Sequence, residues 1–435
     1  MKKNKLLTTL LFVTATLSLS ACGLFNDDDI AIKNSYNPVV SEPEKDPDAL
    51  EVEEGIEGHR VDAVPDAYCF KNIGYAKNGT IVNSYKASGA RPNVFNPNGG
   101  KDYSGDKTSN NYDLYVPDAT PRNAKHTIIL FIHGGAWVSG FKTDVNPYVH
   151  EFAKKGYVTA TIKYTLLNRS MDNPELSIFR NLDEIDACIA SIKEVLAKPA
   201  LGFDTTKSEL VIGGASSGSH LAMLYAYSRG QDSPIDIKFV VDAVGPVDIK
   251  PDCWKSFKSD QEEAEVESGI QKGQIDNEHL APLSIAGEKD ENGNSLYWDK
   301  YQTMRIANGM CGLPNSKESI ENSAIKNGEG VITGVNEESD AAKSMLSANG
   351  GEDQMSVTYW MKKGVNKYPM VAAYAGKDTI VGVNQFATLQ ETLDTQGIDY
   401  DYTYFKNCGH TQISDEADHA AYTEFVKNVD DRCKA

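Results

Sequence analysis

Short apolar runs alternate with helix-periodic segments along much of this chain, and that alternation most constrains its fold. Residues 127–132 (Thr-Ile-Ile-Leu-Phe-Ile) are apolar almost throughout. A half-buried strand would alternate in character. A strand covered on both faces has no polar side to show, so this run fits the interior of a parallel sheet. Residues 157–162, 210–212, 239–244 and 370–375 read the same way, and residues 111–117 read as an early strand ending at Pro117. Between them, residues 149–155 read as helix, and Leu182, Ile185, Ile189, Ile192 and Leu196 recur at helical spacing. A further helix begins within 220–227, and a strand over 399–405 and a helix over 417–429 complete the pattern. Parallel neighbours need crossover connections, which helices supply. The expected fold class is α/β, a mostly parallel, doubly wound sheet.

The rhythm breaks over residues 251–350, which are rich in Gly, Asn and Ser and carry 18 acids against 9 bases. One stretch there has helical spacing, with Tyr297, Tyr301 and Met304 on one face. The expected organisation is a single α/β domain over 61–435, interrupted by a cap-like insertion at 251–350. Trp254, Tyr297, Trp298, Tyr301 and Trp360 either line a substrate entrance or form the insertion's own small core.

The amino-terminus carries a different signal. Lys2, Lys3 and Lys5 precede an uncharged, Leu-rich run over 6–19, too short to span a bilayer comfortably. The run ends in Leu19-Ser20-Ala21-Cys22, which resembles the lipobox of bacterial lipoproteins. That resemblance implies a signal over 1–22, acylation of Cys22, export to the bacterial cell envelope and membrane contact through the lipid. Residues 23–60 hold 11 acids against 3 bases and read as a solvated, self-repelling tether. The net charge of −19 argues against nucleic acid as a partner, because phosphate binding needs clustered Lys and Arg. The Cys residues other than Cys22 fix no disulfide pairing. No Cys-x-x-Cys pair or His/Cys cluster points to a metal.

Two motifs carry chemistry. Gly214-Ala215-Ser216-Ser217-Gly218 follows an apolar strand and precedes a helical pattern. A sharp strand-to-helix turn there would expose the Ser216 hydroxyl above the sheet, and flanking glycines let the backbone pass closely. His133-Gly134-Gly135-Ala136-Trp137 follows the strand at 127–132. Acyl transfer needs N–H donors aimed at a developing oxyanion, and the backbone of Gly134 and Gly135 with the Ser217 N–H would supply them. His133 reads as support for that loop.

Together these motifs resemble the α/β-hydrolase superfamily, in its esterase/lipase branch related to hormone-sensitive lipase and bacterial feruloyl-esterase-like proteins. Asp113-Leu114-Tyr115-Val116-Pro117 and Ser216 to Ala222 share the likeness, which covers most of 105–250 well and 365–415 moderately. Ala136 stands where the family commonly has a third Gly, and Ser217 and Ser219 where Ala and Gly are frequent. The resemblance implies an acid and then a His on loops after late strands. Asp378, in Gly376-Lys377-Asp378-Thr379-Ile380-Val381, and His410, after Gly409, hold those places. Asp248 is an alternative acid and His419 an alternative base. His220 reads as packing in the helix after Ser216.

The implied activity is that of an exported, lipid-anchored serine carboxylic-ester hydrolase without cofactor, acting through an acyl-enzyme. Its substrates would be acetyl or feruloyl esters of polysaccharides, or other small esters. A lipase or peptidase of the same fold, and a non-catalytic binding protein on a hydrolase scaffold, are the alternatives.

Overall fold

The computed structural model describes residues 48–75, 111–137, 140–166, 178–249, 355–378 and 380–435, with short stretches between 255 and 338. Ten strands form one sheet. Six of them run parallel: β5 (His126–Ile132), β6 (Val158–Lys163), β7 (Ser208–Ala215), β8 (Ile237–Ala243), β9 (Met370–Ala375) and β10 (Tyr400–Phe405). Four antiparallel strands extend it beyond β6: β1 (Leu50–Glu53), β2 (Ile56–Val61), β3 (Val64–Gly74) and β4 (Asn111–Pro117). The spatial order is β1-β2-β3-β4-β6-β5-β7-β8-β9-β10. Among the described residues, no helix is long and apolar enough to cross a membrane.

The apolar runs are explained by double cover. Every residue of β5 is buried, and successive side chains go to opposite faces. Ile128, Leu130 and Ile132 pack with α2 (Ile178–Leu196), α3 (Ser217–Arg229) and α5 (Val383–Gln396) on one face. Ile129 and Phe131 pack with α1 (Asn146–Lys154) and α6 (His419–Lys434) on the other. Helix α4 (Val357–Lys363) joins the first face through Trp360 and Met361. Trp360 is therefore a core side chain rather than part of an entrance.

The chain leaves β5 for β6 on one side, then crosses back to β7 on the other. Open α/β sheets bind ligands where the winding reverses, at the carboxyl ends of the strands. Ile132 pairs with Gly214 across that reversal, so the loop after β5 and the turn after β7 start side by side.

Two expectations need correction. The expected tether over 23–60 is folded from Leu50 onward, because β1 and β2 pair with each other and β2 with β3. Leu50-Glu51-Val52-Glu53 alternates, with the apolar pair half-buried and the acids exposed. The acid density there is the wet face of an edge strand, and Glu53 pairs with Lys198. Residues 1–47, including Cys22, lie outside the described residues. Within the insertion, residues 295–297 form a strand paired with 284–289 rather than a helix. Two more antiparallel pairs join 255–257 with 280–282 and 324–326 with 332–335. Trp254, Trp298, Tyr301 and Met304 lie outside the described residues, as does the side chain of Tyr297.

Candidate active site

Ser216 occupies the turn between β7 and α3 with φ 55° and ψ −126°. An L-residue there is strained by roughly 1–3 kcal/mol and persists only where its surroundings over-determine it. The flanking glycines are required by contact. A Cβ on Gly214 would lie 2.3 Å from the Gly218 carbonyl carbon, and one on Gly218 would lie 2.1 Å from the Ile132 oxygen. Both distances are far inside van der Waals contact. Gly218 thus lets the start of α3 rest on the end of β5, which brings the Ser216 turn and the 133–137 loop together.

The acid and base arrive from the adjacent strands. Asp378 follows β9 and His410 follows β10. His410 Nδ1–H donates to Asp378 Oδ2 at 2.7 Å, and the Ser216 hydroxyl faces His410 Nε2 at 2.8 Å. A carboxylate only accepts, so its bond to Nδ1 places the proton there and leaves the Nε2 lone pair toward Ser216. Asp378 is buried, and its other oxygen accepts the backbone N–H groups of Ile380 and Val381, each at 2.8 Å. The carboxylate is held from two sides and cannot turn away from His410 without losing both.

The candidate oxyanion donors lie on the two segments that meet at the Ser216 turn. Ser217 is the first residue of α3, where helix geometry leaves the N–H without an intrahelical acceptor. Gly134 lies against the turn, since a Cβ on it would meet the Ala215 oxygen at 2.8 Å and the Ser216 Cβ at 3.0 Å. His133 is wholly buried and stacked on Tyr164 at 4.3 Å. Its Nδ1–H donates to the Gly134 carbonyl at 2.8 Å, which turns the Gly135 N–H of the same peptide the opposite way. Burial lowers the His133 pKa, so the ring remains a neutral strut.

The rival residues are engaged elsewhere. Asp248 accepts the hydroxyls of Ser356 at 3.0 Å and Thr358 at 3.4 Å. His419 is exposed and bonded to Asp415 at 2.6 Å. His220 is bonded to the Met355 carbonyl at 2.8 Å. Sequence reasoning missed Asp242 beneath the turn. It is wholly buried and accepts from Ser219 Oγ at 2.5 Å, Gly245 N–H at 2.8 Å and Tyr374 OH at 2.7 Å. Desolvation pushes its pKa up to about 6. The one available signal was an Asp inside the otherwise apolar run at 239–244. Among the described residues, no group of three or more His, Cys, Asp or Glu is placed to hold a metal ion.

Comparison with known proteins bears on the scaffold. The chain is similar to a truncated carbohydrate esterase from gut microbiota, with a TM-score of 0.51 at 15% identity, covering 87% of this chain and 100% of that one. The fold is that of the α/β-hydrolases. On it Ser216, His410 and Asp378 form one hydrogen-bonded row of nucleophile, base and acid. Residues 112–285 match the BD-FAE family model, a span that takes in Gly134, Gly135 and Ser216 but ends before Asp378 and His410. Esterase B from Lactobacillus rhamnosis aligns with a TM-score of 0.47 at 15% identity, over 85% of this chain and 88% of that one. Among curated proteins, the non-reducing polyketide synthase atr1 of Stereocaulon alpinum is 25% identical over 158 residues, or 34% of this chain. The chain spans only 6% of the length of that relative.

Proposed function

We propose that this α/β-hydrolase cleaves carboxylic esters through Ser216, His410 and Asp378, and that it does so outside the cytoplasm on a lipid anchor at Cys22. The observation that carries the catalytic reading is the unbroken chain from Asp378 Oδ2 through both His410 nitrogens to Ser216 Oγ, at 2.7 and 2.8 Å. Ser216 Oγ attacks the ester carbonyl carbon while its proton passes to His410 Nε2. The oxyanion is met by the N–H groups of Gly134, Gly135 and Ser217. Collapse breaks the acyl–oxygen bond, and His410 returns the proton to the departing alcohol. Water then repeats the sequence on the acyl-enzyme, with His410 as base, and releases the acid.

Acetyl or feruloyl esters of polysaccharides are the favoured substrates. The BD-FAE match over the nucleophile and oxyanion loop supports this, and an envelope location would give access to polymers too large to import. The test is direct. Purified full-length chain should hydrolyse p-nitrophenyl acetate, and a fluorophosphonate should label Ser216. Ser216→Ala should abolish both while leaving the melting curve intact, and retained turnover in that variant would sink the assignment. A panel of acetylated xylan, methyl ferulate and tributyrin separates polysaccharide esterase from lipase. Incorporation of a tagged fatty acid in a bacterial host, lost in Cys22→Ser, tests the anchor.

A further inference from the structure

The loop that carries the candidate oxyanion donors is strained, and the restraint on it lies outside the triad. Gly135, Ala136 and Trp137 have φ values of 116°, 51° and 63°. Glycine tolerates that region freely. Alanine and tryptophan there are disfavoured by roughly 1–2 kcal/mol each, because Cβ crowds the following carbonyl. A bulky residue at positive φ is an outlier that only firm packing sustains. The packing is provided by the Trp137 side chain, which is 4% exposed although it stands on an active-site loop. Its ring meets that of His220 edge-on, with centroids 5.3 Å apart and planes at 87°.

His220 is well placed to serve as an anvil. It lies one turn into the nucleophile helix, and its N–H donates to the Ser216 carbonyl at 3.1 Å. Its ring is wholly buried, and Nε2–H donates to the Met355 carbonyl at 2.8 Å. That bond fixes the ring and assigns its proton, leaving Nδ1 as an acceptor. The contact between the rings is one of packing, since neither Trp137 Nε1–H nor His220 Nδ1 has a hydrogen-bond partner. Burial pushes the His220 pKa down to about 4, so the imidazole is neutral at working pH.

We propose that Trp137 and His220 form a clamp holding the oxyanion loop in register with Ser216. Both are positioning residues: neither touches the reacting atoms, and each acts through the backbone it pins. The clamp rests on the ester-hydrolase reading above. It also explains how Ala136 replaces a glycine without loss of the loop's shape, since packing of the next side chain supplies what glycine's freedom would have.

The test uses full-length chain purified in detergent, with Trp137→Phe, His220→Gln and the double variant. Phe keeps an aromatic side chain but withdraws the larger indole from the His220 ring. Gln keeps a donor for Met355 and removes the ring. Active sites are counted by fluorophosphonate titration. Turnover of p-nitrophenyl acetate is compared with inhibition by an aryl trifluoromethyl ketone, whose hemiketal oxyanion reports on the hole. Each single variant should lose roughly ten- to a hundredfold in kcat, as loop misplacement does, with KM within about threefold. Ketone affinity should fall in parallel, and the double variant should be no worse than the poorer single. A purely structural role would lower the melting temperature alone, and kcat and ketone affinity within about twofold of wild type would overturn the clamp, as would losses that multiply. If His220→Gln does not fold, Trp137→Phe decides by the same criteria. Wild-type chain that neither turns over ester nor reacts at Ser216 overturns the hydrolase reading, and the clamp with it. Active wild type with unaffected variants overturns the clamp alone.

Discussion

Replacing Asp378 by Asn tests the acid with a magnitude that follows from its surroundings. Asp378 Oδ1 accepts two backbone N–H groups and Oδ2 accepts from His410 Nδ1. Asparagine offers one acceptor oxygen and one donor amide. Turning the amide the other way would leave two backbone N–H groups without an acceptor, at about 1–3 kcal/mol each, so the oxygen stays with Ile380 and Val381 and the NH₂ turns to His410. Nδ1 must then accept, which moves the imidazole proton to Nε2, where it faces Ser216. That tautomer cannot take the hydroxyl proton. Restoring the productive one sets the amide against the two backbone donors, at a cost of roughly 3–5 kcal/mol. At 1.36 kcal/mol per tenfold, kcat should fall by about two to four powers of ten, with KM little changed. The assay is p-nitrophenyl acetate hydrolysis normalised to folded protein, with fluorophosphonate labelling slowed in parallel. Asp248→Asn is the control, because its carboxylate holds Ser356 and Thr358. It should lose stability and keep its turnover per folded molecule. A folded Asp378→Asn chain within tenfold of wild type would refute the argument, and a larger loss in Asp248→Asn would transfer the role.

Other perturbations address the scaffold. The folded-state pKa of Asp242, about 6, lies above its ordinary value of 3.8, so the native chain binds more protons than the unfolded one between pH 4 and 6. Stability therefore falls as pH rises through that window, by about 3 kcal/mol from this group. Urea unfolding of Asp242→Asn at pH 4, 5 and 7 should show a shallower slope than wild type; equal slopes would exclude the group as the source. Gly218→Ala forces a Cβ to within 2.1 Å of the Ile132 oxygen and 2.4 Å of the His133 oxygen. It should cost about 1–3 kcal/mol or more and at least tenfold in kcat, whereas Gly397→Ala, with nothing within 4 Å, should cost about 1 kcal/mol and leave kcat alone. Arg229 pairs with Asp183 at 2.6 Å in the core, so Arg229→Met should destabilise by roughly 3–5 kcal/mol in denaturant melts.

The legible parts of the sequence were those where one physical demand dominates. Double burial leaves a strand such as 127–132 no polar position, and close backbone approach leaves Gly214 and Gly218 no alternative residue. Where two demands overlap, the pattern blurs. In β1 the acids that solvate an edge strand look like those of a tether. In α5 Val383, Phe386, Leu389 and Leu393 carry the apolar spacing, while Gln385, Gln390 and Thr392 are buried among them. Gln385 is spent on local wiring, with its oxygen accepting the N–H groups of Val247 and Asp248. Asp242 escaped notice because its partners, Ser219 and Tyr374, are 23 and 132 residues away.

The same sheet register explains why a site can be assembled from residues so far apart in sequence. Ile132 pairs with Gly214, Ala215 with Ala243, Ala243 with Ala373, and Ala375 with Phe405. Each pair aligns the carboxyl end of one strand with that of the next, so the loops bearing Gly134, Ser216, Asp378 and His410 leave the sheet along one edge. The connection from β8 to β9 must in any case leave the sheet and return beside it, because the two strands are parallel neighbours. Lengthening that excursion by a hundred residues adds little closure entropy, since each doubling of a flexible loop costs only about 0.6 kcal/mol. It leaves the pairing of Met370 with Val240 untouched. Met355, beyond the insertion, is where the described chain rejoins the domain, and its carbonyl accepts the His220 bond. The segment that returns to the domain therefore supplies the carbonyl that fixes the His220 ring.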